Sequence, residues 1–88
     1  MEIVFDPTKD AVNIEVRQIS LADARYFDWD SLRYEVDSRR DYGEERYRGF
    51  GYIDGRLYMV AFTFRDRAMR IISLRKANPR EVKDYEQA

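Results

Sequence analysis

The dipeptide Asp54-Gly55 restricts the possible folds of this chain more than any other feature. It lies between two runs of apolar and aromatic residues, and the tight turn of a β-hairpin needs the positive φ angles that Gly and Asp tolerate. We therefore predict that residues 46–53 and 57–64 form two strands that pair antiparallel.

Two further strands are predicted around this hairpin, near residues 32–37 and 69–75. The turn at 65–67 is also short, so strands 57–64 and 69–75 should be neighbours and the sheet should be an antiparallel meander of about four strands. Strand 57–64 is apolar on both faces, as expected of a central strand that is covered on both sides. A short additional strand is compatible with the sequence at 2–5.

Helix-start signals precede and follow the predicted sheet. Asp6-Pro7 and Asn78-Pro79 each combine a capping side chain with a proline at the first helical position, where the missing N–H has no cost. In the first of these helices, Val12 and Val16 lie one turn apart and should form a core stripe. In the last helix, Glu81 occupies the third position, from which a carboxylate can reach back to the cap amide.

A second N-terminal helix is predicted to begin at Ser20, which forms a near capping box with Asp23. Leu21, Ala24 and Phe27 would lie on one face of this helix. The predicted fold is therefore α+β, with two N-terminal helices, an antiparallel meander sheet of about four strands and a C-terminal helix. We expect a single domain that spans residues 1–88.

The composition excludes several kinds of site. With no cysteine and no histidine, the chain has no thiolate or imidazole metal ligand and lacks the commonest general base. The carboxylates show no converging pattern and the glycines lack the spacing of a phosphate-binding loop, so we predict neither a metal site nor a cofactor. The N-terminus lacks a leader pattern, and no apolar run approaches the ~20 residues that span a bilayer. We expect a cytoplasmic protein without a membrane segment.

Basic residues are unevenly distributed, although the net charge is only -1. Residues 1–32 carry three basic and seven acidic side chains, residues 33–76 carry eleven and seven, and residues 77–88 carry two and three. Thirteen of the sixteen basic residues are arginine, whose planar fork binds phosphate bidentately and stacks on bases. This middle segment is compatible with a polyanionic ligand such as RNA, but surface ion pairs and solvated strand faces also use arginine.

Two arginines of the predicted hairpin share a face with aromatic residues. Because side chains alternate along a strand, Arg46 and Arg48 lie on the same side as Phe50 and Tyr52. Such a face can bind RNA through phosphate pairing and base stacking. The same pattern also occurs where arginine stems cover exposed aromatic surface, and both interpretations stay open.

The C-terminal stretch carries further candidates. Alternation in strand 69–75 places Arg70 and Arg75 on opposite faces unless a bulge intervenes, and Lys76 follows at once. Long basic side chains beside an apolar core are costly unless they are exposed or paired, which favours a functional role for these three. For Glu81 the alternatives are a general acid or base and the capping role. For Tyr85 they are proton transfer and packing of the last helix on the sheet.

The order of these signals matches a known family. The chain resembles the BrnT toxins of bacterial type II toxin–antitoxin systems, which are small ribonucleases with a RelE-like fold that are neutralised by BrnA antitoxins carrying a ribbon-helix-helix DNA-binding domain. The resemblance covers nearly the whole chain, and its last stretch is the most specific. It rests on four segments: VFDPTKDAVN, SLADARYFDWD, GEERYRGFGYIDGRLYMVAFTFR and RIISLRKANPREVKDYE.

The resemblance implies metal-independent cleavage of RNA, in which the ribose 2′-hydroxyl attacks the adjacent phosphorus and translation is inhibited. Cations would hold the phosphate and neutralise its developing charge. We expect Arg70, Arg75 and Lys76 to gather in one exposed pocket and to supply these cations. Glu81 and Tyr85 are weaker candidates for proton transfer. The expected contacts to the RNA backbone are Arg46, Arg48, Arg56 and Arg65. The implied partner is a BrnA-like antitoxin, in a possible heterotetramer that binds operator DNA.

One segment departs from the family. Where its members usually have Lys-His-Gly at the end of the first helix, this chain has Val16-Arg17-Gln18. Arg17 would keep a positive charge there and is a further candidate for RNA binding. If the missing residues contribute to cleavage, this chain is a weakened or inactive member that binds protein or RNA. A non-catalytic interaction domain and a structural dimer module are the remaining alternatives.

Overall fold

The structure is a computed structural model that describes residues 2–88, and it has one five-stranded sheet with three helical segments. The strand order is β1-β5-β4-β3-β2; β1 runs parallel to β5, and the other neighbours are antiparallel. The α+β class is confirmed. The elements are β1 (Glu2–Phe5), α1 (Pro7–Arg17), a 3₁₀ helix (Leu21–Tyr26), β2 (Asp28–Val36), β3 (Tyr47–Ile53), β4 (Arg56–Arg65), β5 (Ala68–Lys76) and α2 (Pro79–Gln87).

The predicted four-stranded antiparallel meander is wrong in one respect, because β1 adds a fifth, parallel strand at the edge. Its four residues pair only with the first half of β5, from Ala68 to Ile71. The parallel pairing of β1 with β5 depends on all the elements that fold between these two strands. A local sequence pattern therefore does not predict it. The remaining order is as predicted, and β4 is the central strand.

The predicted hairpin is confirmed. Asp54 and Gly55 have φ angles of 49° and 75°, the conformation of a primed turn, and β3 and β4 pair antiparallel on either side. The β4–β5 turn has the same conformation without a glycine, since Asp66 and Arg67 have φ angles of 52° and 63°. Two tight turns of this kind therefore fix the register of the three central strands.

The second predicted helix is a 3₁₀ helix, and its geometry explains the spacing of its apolar residues. Leu21, Ala24 and Phe27 are all buried in the core. A 3₁₀ helix has three residues per turn, so side chains three apart lie directly above one another. Ser20 caps the segment as predicted, because its hydroxyl accepts a hydrogen bond from the Ala22 amide at 3.1 Å. The expected α-helix is wrong, but the expected face is correct.

The predicted core stripe of α1 is also wrong. Val12 and Val16 are 55% and 61% exposed, and the buried residue of this helix is Asn13. Its side-chain amide donates to the Leu74 carbonyl at 3.0 Å and accepts from the Leu74 amide at 3.4 Å. β1 ends opposite Ile71, so this later part of β5 has no strand on that side. Asn13 satisfies the backbone groups that β1 leaves open, which a valine could not do.

The sheet has two different faces. The core face carries Val60 and Phe62 and packs against the 3₁₀ helix. The opposite face, here called the α2 face, carries Arg48 and Arg75 and lies under α2, to which both side chains bond. The functional candidates divide between these two faces.

Two glycines of β3 allow close packing on the core face. A Cβ on Gly51 would lie 3.1 Å from the ring of Phe27, and a Cβ on Gly49 would lie 2.8 Å from the Cβ of Tyr34. The two alternating glycines therefore allow close approach on this face, with a ring packed across one of them.

Candidate functional site

A bulge in β5 decides which basic residues share a face. Ala61 pairs with Ser73 but Phe62 pairs with Ile71, so Ile72 is the extra residue on β5. The alternation of side chains is shifted by one beyond it. Arg70 and Arg75 consequently both lie on the α2 face, which simple alternation would not allow.

Glu81 is the centre of the polar cluster on this face. Its carboxylate accepts hydrogen bonds from Arg75 Nη1 at 2.8 Å and Nη2 at 2.9 Å, and from Arg48 Nη2 at 3.3 Å. It also accepts from the Asn78 amide at 2.9 Å, which with the Asn78 side chain on the Glu81 amide completes the predicted capping box. A carboxylate has about four lone-pair sites, and these four donors fill them. We call Arg48, Arg75 and Glu81 the clamp.

The charge state of Glu81 follows from these contacts. The hydrogen bonds from Arg75, together with the Asn78 amide and the charge of Arg48, lower the pKa of Glu81 to about 2. The same hydrogen bonds raise the pKa of Arg75 above its usual value. A carboxylate with such a low pKa and no open lone pair is a poor proton acceptor near neutrality. The geometry therefore favours a positioning role for Glu81 over acid–base catalysis.

Arg75 keeps donors for a ligand. Glu81 bonds to the end of its guanidinium, and Nη1 also donates to the Lys76 carbonyl at 3.2 Å. None of its hydrogen bonds within residues 2–88 uses Nε. The side of the guanidinium formed by Nε–H and the second Nη2–H is a complete bidentate fork, the geometry that matches phosphate. Arg75 can bind a phosphate while Glu81 still holds it.

Tyr85 packs α2 against the sheet, as its structural interpretation predicts. Its hydroxyl donates to the Ser31 carbonyl, and its ring meets Tyr52 edge to face at 5.4 Å between centroids. Arg33 lies over the other side of the ring at 4.5 Å and donates to the Tyr85 carbonyl at 3.1 Å. A hydroxyl bonded in this way is already committed to a backbone acceptor.

The expected cationic pocket of Arg70, Arg75 and Lys76 does not form as a single group, because Arg70 lies apart from the other two. Lys76 pairs with Tyr58 and therefore faces the other side of the sheet from Arg75. It lines a shallow cleft at the end of α1 together with Arg17 and Arg75, and we call Arg17 and Lys76 the corner. Arg70 shares the face of Arg75 but lies four residue positions away along the ladder, about 13 Å. The alternation of side chains places Arg75 and Lys76 on opposite faces, and the rise of the strand separates Arg70 from Arg75 along one face.

The other predicted RNA contacts are spread along the sheet. Arg46 lies over the ring of Tyr42 at 4.2 Å and is 3.5 Å from a Glu44 carboxylate oxygen. Arg65 bonds to the same carboxylate at 2.6 Å. Arg56 is exposed at the end of the Asp54-Gly55 hairpin, opposite Ile53 on the core face. Of this group, only Arg48 joins the clamp.

A cleft of about 360 Å³ opens next to the clamp between β2, β3 and α2. Arg33 is the residue there that the sequence does not single out. Its position opposite Phe50 depends on the irregular register between β2 and β3, so only the paired strands show that it joins this face. The side chains that characterise the cleft are Arg33, Glu35, Arg48, Phe50, Asp84 and Tyr85.

The described part of the chain offers no group of three or more carboxylates placed to hold a metal ion. No helix between residues 2 and 88 has the length and apolar character needed to cross a bilayer.

Comparison with protein-family models places most of the chain in a known family. A family model described as "Ribonuclease toxin, BrnT, of type II toxin-antitoxin system" matches residues 5–81 of the 88-residue chain. The matched segment includes β2 to β5 in full and only the last residue of β1, and it ends at Glu81 in the first turn of α2. No curated protein matches the chain.

Proposed function

Because the chain belongs to the BrnT family of ribonuclease toxins of type II toxin–antitoxin systems, we propose that it is a metal-independent endoribonuclease of RelE-like fold that inhibits translation in the cytoplasm. The family makes it a ribonuclease toxin with an antitoxin partner, as the resemblance of the sequence implies. The observation that carries the proposed site is the clamp, in which one carboxylate of α2 fixes two partly exposed arginines of the sheet.

The clamp supplies the electrostatic part of such a reaction. The ribose 2′-hydroxyl attacks the adjacent phosphorus, the bond from phosphorus to the 5′-oxygen of the next nucleotide breaks, and a 2′,3′-cyclic phosphate and a free 5′-hydroxyl result. Negative charge grows on the phosphate oxygens during the attack. The side fork of Arg75 binds two of these oxygens, and Arg48 lies beside it for the same charge. Cations that are already fixed in place lower the barrier without reorganising.

The remaining basic residues take supporting roles in this proposal. Arg70 lies on the same face about 13 Å from Arg75, a distance that suits a neighbouring phosphate of an extended RNA strand better than the same one. Arg46, Arg56, Arg65, Arg17 and Lys76 would then contact the RNA backbone outside the reacting link. Glu81 and Tyr85 hold the site together in this proposal, Glu81 by orienting the arginines and Tyr85 by packing α2.

We also propose that the antitoxin partner is a BrnA-like ribbon-helix-helix protein. The family supports a protein antitoxin, and the resemblance of the sequence supports this type. Two toxin chains with an antitoxin dimer would form a heterotetramer that binds operator DNA through the antitoxin. Co-purification of the two proteins, followed by mass measurement and a gel-shift assay with the promoter of their genes, tests this arrangement.

The catalytic proposal is tested by inducing this chain alone in bacteria. We expect growth to stop, protein synthesis to fall and RNA to be cleaved, and co-expression of the antitoxin should reverse all three. The purified protein should cleave RNA with EDTA present and leave a cyclic phosphate. Cleavage that requires a divalent ion would contradict the metal-independent mechanism.

A weakened member of the family is the second candidate, and the end of α1 favours it. Gln18 replaces the usual glycine and has a φ angle of 58°, which glycine adopts without strain. If induction leaves growth and RNA intact while the antitoxin still binds, this second candidate replaces the first.

A further inference from the structure

The cleft beside the clamp combines surfaces of three kinds. Phe50 is a half-buried aromatic residue of the cleft, with the Arg48 guanidinium 5.6 Å from its ring centre. The Arg33 guanidinium lies on another wall, over Tyr85. Glu35 and Asp84 add carboxylates to the lining, which also includes Tyr34, Glu81 and Ala88. A ligand made only of phosphate would be repelled by these carboxylates, so the cleft suits a different part of an RNA chain.

Glu35 is unpaired for a specific reason. It lies directly opposite Arg48 on the neighbouring strand, a position from which opposite charges usually pair. Arg48 instead turns to Glu81, and Glu35 takes part in none of the ion pairs within residues 2–88. Its carboxylate is left exposed at the cleft with both oxygens available as acceptors.

These features match the chemistry of a nucleobase. A base stacks on aromatic rings and on guanidinium planes, and single-stranded RNA is read in this way by many proteins. A carboxylate accepts hydrogen bonds from the exocyclic amino groups of adenine, cytosine and guanine. Uracil has no amino group, and its single N3–H donor lies between two carbonyl oxygens that repel the carboxylate. The cleft also adjoins the arginines that would hold the neighbouring phosphate.

We propose that this cleft is a nucleobase subsite in which Phe50 and the arginines stack on one base and Glu35 selects a base that carries an amino group. The inference rests on the proposed function, because it assigns a substrate preference to the same site. It predicts that the protein discriminates against uridine at the position next to the scissile phosphate.

Binding is measured with four labelled pentaribonucleotides that differ only in the central base, between uridines, and that carry 2′-methoxy groups so that no cleavage occurs. We expect the three with adenine, cytosine or guanine at the centre to bind about 10-fold more tightly than the all-uridine chain. Glu35→Gln should reduce this preference to less than about 3-fold, and the all-uridine chain should bind somewhat more tightly because the carboxylate that opposes uracil is gone. Asp66→Asn is the matched control, since it removes the same charge from a turn outside the cleft.

Failure of the subsite and failure of the proposed function give different results. Equal binding of the four chains by a wild-type protein that cleaves RNA overturns the subsite and leaves the nuclease. Discrimination among the bases, lost in Glu35→Gln, by a protein that cleaves no RNA supports the subsite and contradicts the nuclease. A Glu35→Gln variant that keeps the base preference but binds the antitoxin less tightly identifies the cleft as a protein interface and overturns the subsite.

Discussion

Arg75 of the clamp and Lys76 of the corner lie on opposite faces of the same end of β5, and both clusters are positively charged. In the clamp, Arg75 and Arg48 are only 22% and 32% exposed in their side chains, and both bond to Glu81. In the corner, Arg17 and Lys76 are exposed and take part in none of the ion pairs within residues 2–88. Arg75 and Lys76 both reach the cleft at the end of α1, but their side chains leave β5 on opposite faces and only Arg75 has a carboxylate partner.

The difference between the two regions is one of preorganisation. Immobilising a long side chain on binding costs about 0.5–1.5 kcal/mol. The arginines of the clamp are already immobilised in the folded protein, so ligand binding does not carry this cost. Two arginines and one carboxylate also leave the clamp with a net positive charge for the ligand. The corner has its charge without a fixed geometry. We therefore expect the clamp to act on the reacting phosphate and the corner to add general attraction for RNA.

Alanine substitution of the two adjacent residues should separate the regions most strongly. Arg75→Ala removes the fork that stabilises the transition state, so we expect the cleavage rate to fall by about 100-fold or more. Lys76→Ala removes an exposed charge and should reduce the rate by no more than about 5-fold. Single-turnover cleavage of one short RNA by both variants measures the ratio.

A folding defect must be separated from lost chemistry in this experiment. Arg75→Lys is the matched control, because it keeps the charge but not the bidentate fork, and its rate should lie between those of the wild type and Arg75→Ala. Thermal unfolding shows which variants are folded at the assay temperature. Equal losses for Arg75→Ala and Lys76→Ala would show that the two regions contribute alike and would contradict the distinction between them.

Acid should destabilise the clamp and leave the corner unaffected. Contacts with Arg75, the Asn78 amide and Arg48 lower the pKa of Glu81 to about 2, from an ordinary value near 4.5. Its ionised form therefore stabilises the fold above about pH 4.5, and this contribution is lost as the pH falls towards 2. We expect it to amount to about 1–3 kcal/mol in the free energy of unfolding.

Urea unfolding at pH 7 and at pH 3 tests this assignment. Glu81→Gln should narrow the difference in unfolding free energy between the two pH values, because the group responsible no longer titrates. Carboxylates such as Asp37 and Glu44 are present in both proteins and cancel in the comparison. Glu86→Gln serves as the control, since Glu86 takes part in no ion pair or side-chain hydrogen bond in the described chain. An unchanged pH dependence in Glu81→Gln would mean that the clamp does not hold this carboxylate ionised.

Features encoded by a few consecutive residues could be predicted from the sequence. The turn at Asp54-Gly55 and the helix caps at Asp6 and Asn78 are of this kind, because each depends on the conformational preference or side-chain hydrogen bond of its own segment. The buried face of α1 could not be predicted. Asn13 faces β5 because β1 ends too early to cover Leu74, and the sequence of the helix alone does not contain that fact.

In the candidate site too, features within one segment could be predicted and features between segments could not. Arg75 and Glu81 were both predicted as candidates, and the capping role of Glu81 followed from its distance to Asn78. The contact of Glu81 with Arg48 depends on the path of α2 over β3. The shared face of Arg70 and Arg75 depends on the bulge at Ile72. Such features arise from pairing between distant segments, which local patterns do not determine.

The smallest expected effect concerns the end of α1, beside the corner. Gln18 has φ and ψ angles of 58° and 31°, in the left-handed region that costs a residue with a Cβ about 1–2 kcal/mol. Gln18→Gly removes this strain but adds entropy to the unfolded chain, so we expect a net stabilisation of about 0.5–1 kcal/mol. In a domain of this size, the melting temperature should rise by about 2–6 °C.

Gln18→Ala is the control for this last change. It also removes the hydrogen bond from the Gln18 side chain to the Glu15 carbonyl, but it keeps the Cβ and should therefore not raise the melting temperature. Gln18 lines the same cleft as Arg75, but its hydrogen bonds go to the Glu15 and Ile14 carbonyls of α1, so Gln18→Gly should change the cleavage rate by less than about 2-fold. A variant that gains rate by 10-fold or more would mean that the geometry of the α1 terminus limits catalysis. The corner would then belong to the reacting site. The two regions would share one role, and the corner would contribute less only because the end of α1 is strained in this chain.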